Sequence, residues 1–275
     1  MKPQHVVLLL TSVPFALTLT TLGISAKQNN STLTALSAVT FVALVVISLY
    51  VGVAQLAVTH QLVDVPTQGK FVVPNVTDGI YDILRIGLPW EKTIQKLIVD
   101  NLEVGDNMID VGAHIGSHTV PAAKKVGPTG HVYAFEPIPE YTSLLKMAII
   151  ANDIDNVTTF PYALGAASNV FVEMHKYHGR SKVVASNTGD IPLRTLDSYI
   201  DELPPIKLMK IDVEGFEYDM LLGASDLIRR DAPIIIIEIW PSNVARVKTL
   251  LGSMGPRGYT ITHFENPDDY LAVSK

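Results

Sequence analysis

Cysteine is absent from this chain, which excludes a disulfide framework, a thiolate nucleophile and any cysteine-ligated metal. Acids are missing from its beginning: no Asp or Glu precedes Asp64, and only Lys2 and Lys27 carry fixed charge there, so a net charge of −6 divides into +2 before Asp64 and −8 beyond it. The acidic remainder also lacks a basic stripe with interleaved aromatics, which argues against a nucleic-acid partner.

Two uncharged apolar runs occupy the acid-free part. Val6 to Ser25 and Leu33 to Val58 are each long enough to cross a bilayer, and the polar Lys27-Gln28-Asn29-Asn30-Ser31 between them is a short loop. A transmembrane helical hairpin over residues 1–60 (spans of about 6–25 and 33–58) is the expectation, with the lipid bilayer as partner. An even number of crossings puts the rest of the chain on the side of the N-terminus, expected to be the cytosol. A competing reading makes the first span a signal peptide cut after Gly23-Ile24-Ser25, which inverts the topology. Overlapping sequons at Asn29 and Asn30 suit a lumenal loop, but Asn75-Val76-Thr77 and Asn156-Val157-Thr158 fall on the other side, so not all are used. Residues 61–77, with Pro66 and Pro74, read as a linker, and 78–275 as a single domain.

Within that domain the densest signal is Asp110-Val111-Gly112-Ala113-His114-Ile115-Gly116. It closes an apolar run and opens an amphipathic helix with two glycines, so the backbone turns tightly and the helix offers free N–H groups to a ligand. Twenty residues past Gly116, the run His131 to Phe135 ends in Glu136, an acid placed to accept both hydroxyls of a ribose. A dinucleotide loop carries three glycines around a pyrophosphate, and the middle one is missing here. A G-A-x-x-G turn preceded by Asp110, whose carboxylate can serve an amino group, suits S-adenosylmethionine better than NAD. The plainer reading is that the two glycines only allow close strand–helix packing.

The remaining elements alternate. Pro89 begins a helix to about Asn101 with Ile94, Leu97 and Ile98 on one face; Ile80 to Leu88 carries no assignment. Helices are expected over Ile115–Val126, Pro139–Asn152, Phe216–Arg230 and Ser242–Met254, with strands at Val132–Glu136, Val157–Tyr162, Ile206–Ile211 and Ile234–Ile239. Val170–His175 and Lys182–Ala185 read as an inserted hairpin. Tyr259–Phe264 and Tyr270–Val273, separated by Asn266-Pro267-Asp268-Asp269, permit an antiparallel close. The pattern is α/β: a mostly parallel seven-stranded sheet, helices on both faces, and a C-terminal antiparallel hairpin.

From about Leu102 onward the chain resembles the FkbM-type methyltransferases. The resemblance rests on Gly105-Asp106-Asn107-Met108-Ile109 running into the loop above, on Ala134-Phe135-Glu136-Pro137, Tyr162-Ala163-Leu164-Gly165, Thr195-Leu196-Asp197-Ser198-Tyr199 and Lys210-Ile211-Asp212-Val213-Glu214-Gly215-Phe216-Glu217. It implies a Rossmann-like methyltransferase fold that moves a methyl group from S-adenosylmethionine, usually to an oxygen of a sugar, glycolipid or related small molecule. Donor contacts would come from Asp110, Gly112, Ala113, His114, Gly116, Glu136 and Ala163. His114 stands where the family commonly carries Asn, and the membrane segment lies outside the resemblance.

Chemistry at the C-terminal edge of such a sheet would come from Asp212 and Glu214 after the fourth strand and Glu238 at the end of the fifth. An acid there can act as general base toward a hydroxyl, or the three can hold a divalent ion such as Mg²⁺ that chelates a diol. Their bland alternatives are a helix cap for Glu214 and an ion pair for Glu238. Asp212 is favoured, because an acid closing a buried apolar strand needs a partner or a task. His118 is as consistent with packing as with ligand contact. His175, His178, Arg180 and Lys182 are read first as loop polar residues, and no histidine pair has metal-ligand spacing. A nicotinamide oxidoreductase and a non-catalytic membrane scaffold are the competing function classes.

Overall fold

A computed structural model describes residues 31–177, 180–185, 189–264 and 266–275. The expected first membrane span lies outside the described residues, as does His178. The chain divides into a unit ending at Gln61 and a second from Leu62 to Lys275.

The first unit contains helix α1, Ser31–Thr59, 29 residues without an acid or a base. Its side chains are described over 38–52 and at Thr59; Val39, Val42, Leu49 and Tyr50 are exposed. Among the described residues no helix is long and apolar enough to cross a membrane.

Strand β1, His60–Val65, begins where α1 ends and pairs with β2, Gly69–Pro74. The expected linker at 61–77 is therefore largely a β-hairpin. Pro66 marks its turn and Pro74 its end, while Val63, Val65, Phe71 and Val73 alternate inward and are buried with Leu144 and Ala148. Ile80 to Leu88, unassigned from sequence, supplies helix α2, Gly79–Arg85, capped by Asp78, whose carboxylate accepts from Ile80 N at 3.2 Å.

The main sheet assembles from α3 (Lys92–Asp100), β3 (Asn107–Val111), α4 (Thr119–Val126), β4 (His131–Phe135), α5 (Pro139–Ala151) and β5 (Val157–Phe160). After an excursion through β6 (Ala163–Leu164), β7 (Val170–Tyr177), β8 (Arg180–Ala185) and β9 (Ile191–Arg194), it resumes with β10 (Leu208–Ile211). Helices α6 (Glu217–Leu222) and α7 (Ser225–Asp231), β11 (Ile234–Glu238), α8 (Val244–Ser253), β12 (Tyr259–His263) and β13 (Asp269–Ser274) complete it.

Seven strands stand in the order β12-β13-β11-β10-β3-β4-β5; the last five of these are parallel, and β13 is antiparallel to both β11 and β12. The mostly parallel sheet and its antiparallel close match the sequence pattern. Both faces are covered, so the central strands are mostly apolar, interrupted by Asp110 in β3 and Lys210 in β10. Met108 and Leu208 pack with Ile94, Ile98 and Val126 of α3 and α4, while their neighbours Ile109 and Met209 pack with Met220, Leu227 and Val247 of α6 to α8. The inserted hairpin β7–β8 is present in a separate four-stranded sheet, β6-β9-β7-β8.

Two helices differ from the expectation. The helix expected from Ile115 starts at Thr119, because His114 (φ 51°) and Gly116 (φ 92°) adopt left-handed conformations that interrupt it. The helix expected over Phe216–Arg230 is broken between α6 and α7 at Gly223-Ala224. There a Cβ on Gly223 would stand 1.9 Å from the Gly165 carbonyl oxygen, and Asp197 caps α7 from a distant loop, accepting from Leu227 N (2.9 Å) and Asp226 N (3.1 Å).

Candidate active site

The loop after β3 is fixed by its neighbour strand. Gly112 N and Ala113 N both donate to the Phe135 carbonyl at the end of β4, at 2.9 and 3.1 Å. Gly112 has φ 77°, and a Cβ there would lie 1.9 Å from the Asp212 carbonyl oxygen, so only glycine fits between β3 and β10. These backbones frame a cavity of about 400 Å³ at the C-terminal ends of β3, β4, β10 and β11. Gly112, Ala113, His114, Glu136, Ala163, Asp212, Glu214 and Glu238 all line it.

Glu136 closes β4 and is 5% exposed. Oε2 accepts from His114 N and Oε1 from Ile138 N, both at 2.9 Å. Each oxygen retains a further lone pair for a ligand hydroxyl. Burial pushes this carboxyl up from 4.5 to about 7, against the pull of the Ile138 and His114 amides. The folded value lies above the unfolded one, so this group's contribution to stability is fully present below pH 4.5 and is lost as pH rises through about 7. Unfolding free energy should therefore fall across that window, by about 3 kcal/mol for this group. Burial also raises Asp269, to about 6, in the same sense. The difference between wild type and Glu136→Gln in urea titrations across the window isolates the Glu136 part; equal pH slopes for the two proteins would reject it.

Three further acids line the same cavity. Asp212, Glu214 and Glu238 each present an oxygen within 4.8 Å of the others, an arrangement that can take a divalent ion and also occurs commonly without one. Glu214 does not cap α6; it sits at φ 51° with Oε2 accepting from Trp240 Nε1 at 3.2 Å. The turn beneath it is held by Glu217, wholly buried, which accepts from Gly215 N (2.6 Å) and Asn243 Nδ2 (2.7 Å).

The residue that sequence reasoning missed is Lys210. It is 4% exposed in the central strand β10, with Nζ 3.3 Å from Asp212 Oδ2, 3.8 Å from Asp110 Oδ1 and 3.1 Å from the Gly112 carbonyl. Burial alone would lower its pKa, but Asp212, Asp110 and Glu91 outweigh it and hold the ammonium charged. A lysine inside an apolar strand is itself the signal, since burying an unpaired ammonium is prohibitive. Asp212 keeps a second oxygen, Oδ1, buried and without a partner among the described residues.

Two residues expected to touch the donor do not line the cavity. Asp110 is wholly buried behind the loop, its Oδ2 accepting from Thr119 Oγ1 at 2.6 Å, because Lys210 and Thr119 claim it first. Gly116 serves packing: a Cβ there would come within 2.7 Å of Leu145 Cδ1. His118 does line the cavity, whereas the side chains of His175, Arg180 and Lys182 lie outside the described ones.

The methyltransferase FkbM domain matches residues 110–258, more than half of the chain. The hexuronic acid methyltransferase AglP of Haloferax volcanii is 26% identical over 201 residues, covering 70% of this chain and 81% of that protein. A protein-L-isoaspartate O-methyltransferase of Methanothrix thermoacetophila is 30% identical over 44% of this chain and 54% of its own length. The crystal structure of a methyltransferase FkbM from Methylobacillus flagellatus is similar over 63% of this chain and 44% of that one, at 19% identity and a TM-score of 0.46. With its loop, Glu136 and the Lys210–Glu217 motif all inside the matched region, this chain belongs to the methyltransferase FkbM domain family.

Proposed function

We propose that the protein transfers a methyl group from S-adenosylmethionine to a hydroxyl oxygen of a sugar, glycolipid or related small molecule. The observation that carries this reading is that the bare Gly112 loop, Glu136 and the part-exposed Asp212 carboxylate beside Lys210 line one cavity. The residues fit the donor. Glu136 has lone pairs for two ribose hydroxyls, and Phe135, Ile138 and Leu164 offer apolar wall to a flat base. When bound, the sulfonium supplies an electrophilic methyl group with a neutral thioether as leaving group.

What the chain contributes is placement and proton removal. Asp212 stands just past the end of β10 beside the donor loop, oriented by Lys210 at Oδ2, and its part-exposed carboxylate accepts the acceptor's hydroxyl proton as the oxygen is methylated. We favour this general-base role over Mg²⁺ held by Asp212, Glu214 and Glu238, because Lys210 already places a cation 3.3 Å from Asp212. The relative that methylates hexuronic acid supports a sugar acceptor. Family membership removes the reason to prefer a nicotinamide cofactor. Nucleic acid is not proposed as a substrate. The deciding experiment is untargeted mass spectrometry of cells with and without the protein: a glycan or lipid lighter by one methyl group on deletion supports the reading, and an unchanged methylated metabolome rejects it.

The acid-free N-terminus supports a further part of the proposal, that the protein is held at a membrane with its catalytic domain in the cytosol, where the donor is made. Protease added to sealed vesicles should digest the C-terminal domain of protein whose N-terminus is on the cytosolic side. A protected C-terminus, or full release by alkaline carbonate, would overturn the topology or the anchoring respectively.

A further inference from the structure

Glu217 has no part in the reaction above, yet it is a wholly buried acid with no basic partner among the described residues. Such a group is costly to bury unless it is hydrogen-bonded, and both of its oxygens are. Oε1 accepts from Gly215 N at 2.6 Å and Oε2 from Asn243 Nδ2 at 2.7 Å. Asn243 Nδ2 also donates to the Gly215 carbonyl, at 2.9 Å. The two side chains therefore clamp the N–H and the C=O of one residue. Glu217 must accept twice and Asn243 must donate twice through one nitrogen, so a glutamine at 217 sets donor against donor or acceptor against acceptor whichever way either amide is turned.

What they clamp is the turn that follows Asp212. Glu214 (φ 51°) and Gly215 (φ 97°) are consecutive left-handed residues, and a glutamate keeps that conformation only where its surroundings over-determine it. At the other end of the segment Asp212 N donates to Val111 O at 3.0 Å, which ties it to β3. Between these fixed points Val213 and Glu214 line the cavity together with Asp212. Trp240, three residues before Asn243, backs the same turn: its Nε1 donates to Glu214 Oε2 at 3.2 Å, and a Cβ on Gly215 would stand 3.2 Å from its Cε3. Burial raises the Glu217 carboxyl above its ordinary value despite the Asn243 and Gly215 bonds, so a neutral isostere there relieves a desolvation cost while it breaks the clamp.

We propose that Glu217 and Asn243 are positioning residues, which clamp Gly215 and thereby keep the Asp212 carboxylate set toward the acceptor hydroxyl. The proposal rests on the general-base reading of Asp212. Neither residue touches a substrate, and both act through Asp212.

The full chain in detergent, given S-adenosylmethionine tritiated in its methyl group and the glycan and lipid extract of cells lacking the protein, tests it through the initial rate of label transfer. Glu217→Gln should lower that rate at saturating donor by about 10- to 100-fold. Donor affinity by calorimetry should stay within about twofold, which also shows that the variant is folded. Added to Asp212→Asn, the same substitution should cost less than about twofold further, because a clamp that acts through a base then has nothing left to position. The indole resonance of Trp240, one of two tryptophans in the chain and identified through Trp90→Phe, should move in both Glu217→Gln and Asn243→Ala. An unchanged rate, a loss of donor affinity, an equal fold-loss in both backgrounds, or an unmoved Trp240 resonance would each overturn the proposal. A wild-type rate in Asp212→Asn would instead overturn the base assignment beneath it, and no transfer by the wild-type protein would overturn the methyltransferase reading itself.

Discussion

Asp212→Asn should lower turnover by roughly 10²–10⁴-fold while leaving donor affinity nearly unchanged, the signature of a group that acts only as the proton moves. The substitution keeps the shape of the side chain. Lys210 would still have the Gly112 carbonyl at 3.1 Å and Asp110 at 3.8 Å, so the ammonium does not become a lone buried charge. What is lost is an oxygen that can accept a proton. Activity should survive a chelator, because the cation beside Asp212 is a side chain. Near-normal turnover in a folded Asp212→Asn protein would reduce the residue to a partner for Lys210, and activity abolished by chelation would reassign Asp212, Glu214 and Glu238 to a divalent ion.

Glu136→Ala should weaken S-adenosylmethionine by roughly 2–4 kcal/mol, if each of two charge-assisted bonds to the ribose is worth about 1.5–3 with some overlap. The structure adds a second route to the same loss. The carboxylate also receives the amides of His114 and Ile138, so its removal orphans two N–H groups and loosens the donor loop before any ligand arrives. Calorimetric titration together with thermal unfolding separates the two. A lowered affinity at unchanged stability assigns the effect to the ribose bonds, whereas unchanged affinity in the folded variant removes Glu136 from the donor site.

How much of this was legible in the sequence depended on whether the signal was local. The strands of the sheet were legible because burial on both faces forces predominantly apolar runs, unbroken at Ile234–Ile237 and interrupted only by Asp110 in Met108–Val111. The Gly112 turn and Glu136 followed from their register. The N-terminal hairpin was hidden because Pro66 and Pro74, which bound its strands, also mark linkers, and its inward residues find their partners on α5, far along the chain. Helix ends were displaced for a similar reason: Gly223 yields to a backbone from the β6 loop that no local pattern announces. In the site, the acids were found by position and Lys210 was not. Its three partners come from β3, the donor loop and the loop after β10, and only the folded sheet brings all three together. Asp110 was assigned to the ligand for want of those partners.

The meeting of Gly165 and Gly223 extends beyond the site. A Cβ on Gly165 would stand 2.6 Å from Phe216 Cε1, so the loop leaving β6, which carries cavity residue Ala163, closes against both ends of α6. The same loop is tied to the 195–199 segment by Ser168 Oγ, which accepts from Thr195 N at 2.8 Å, and that segment receives α7 on Asp197 and donates Asp197 N to the Gly223 carbonyl at 2.9 Å. Three stretches distant in sequence thus hold one another with little side-chain bulk between them. They should open together, so amide hydrogen exchange at Gly165, Thr195, Asp197 and Leu227 reports a single opening free energy in place of a gradient of local fraying.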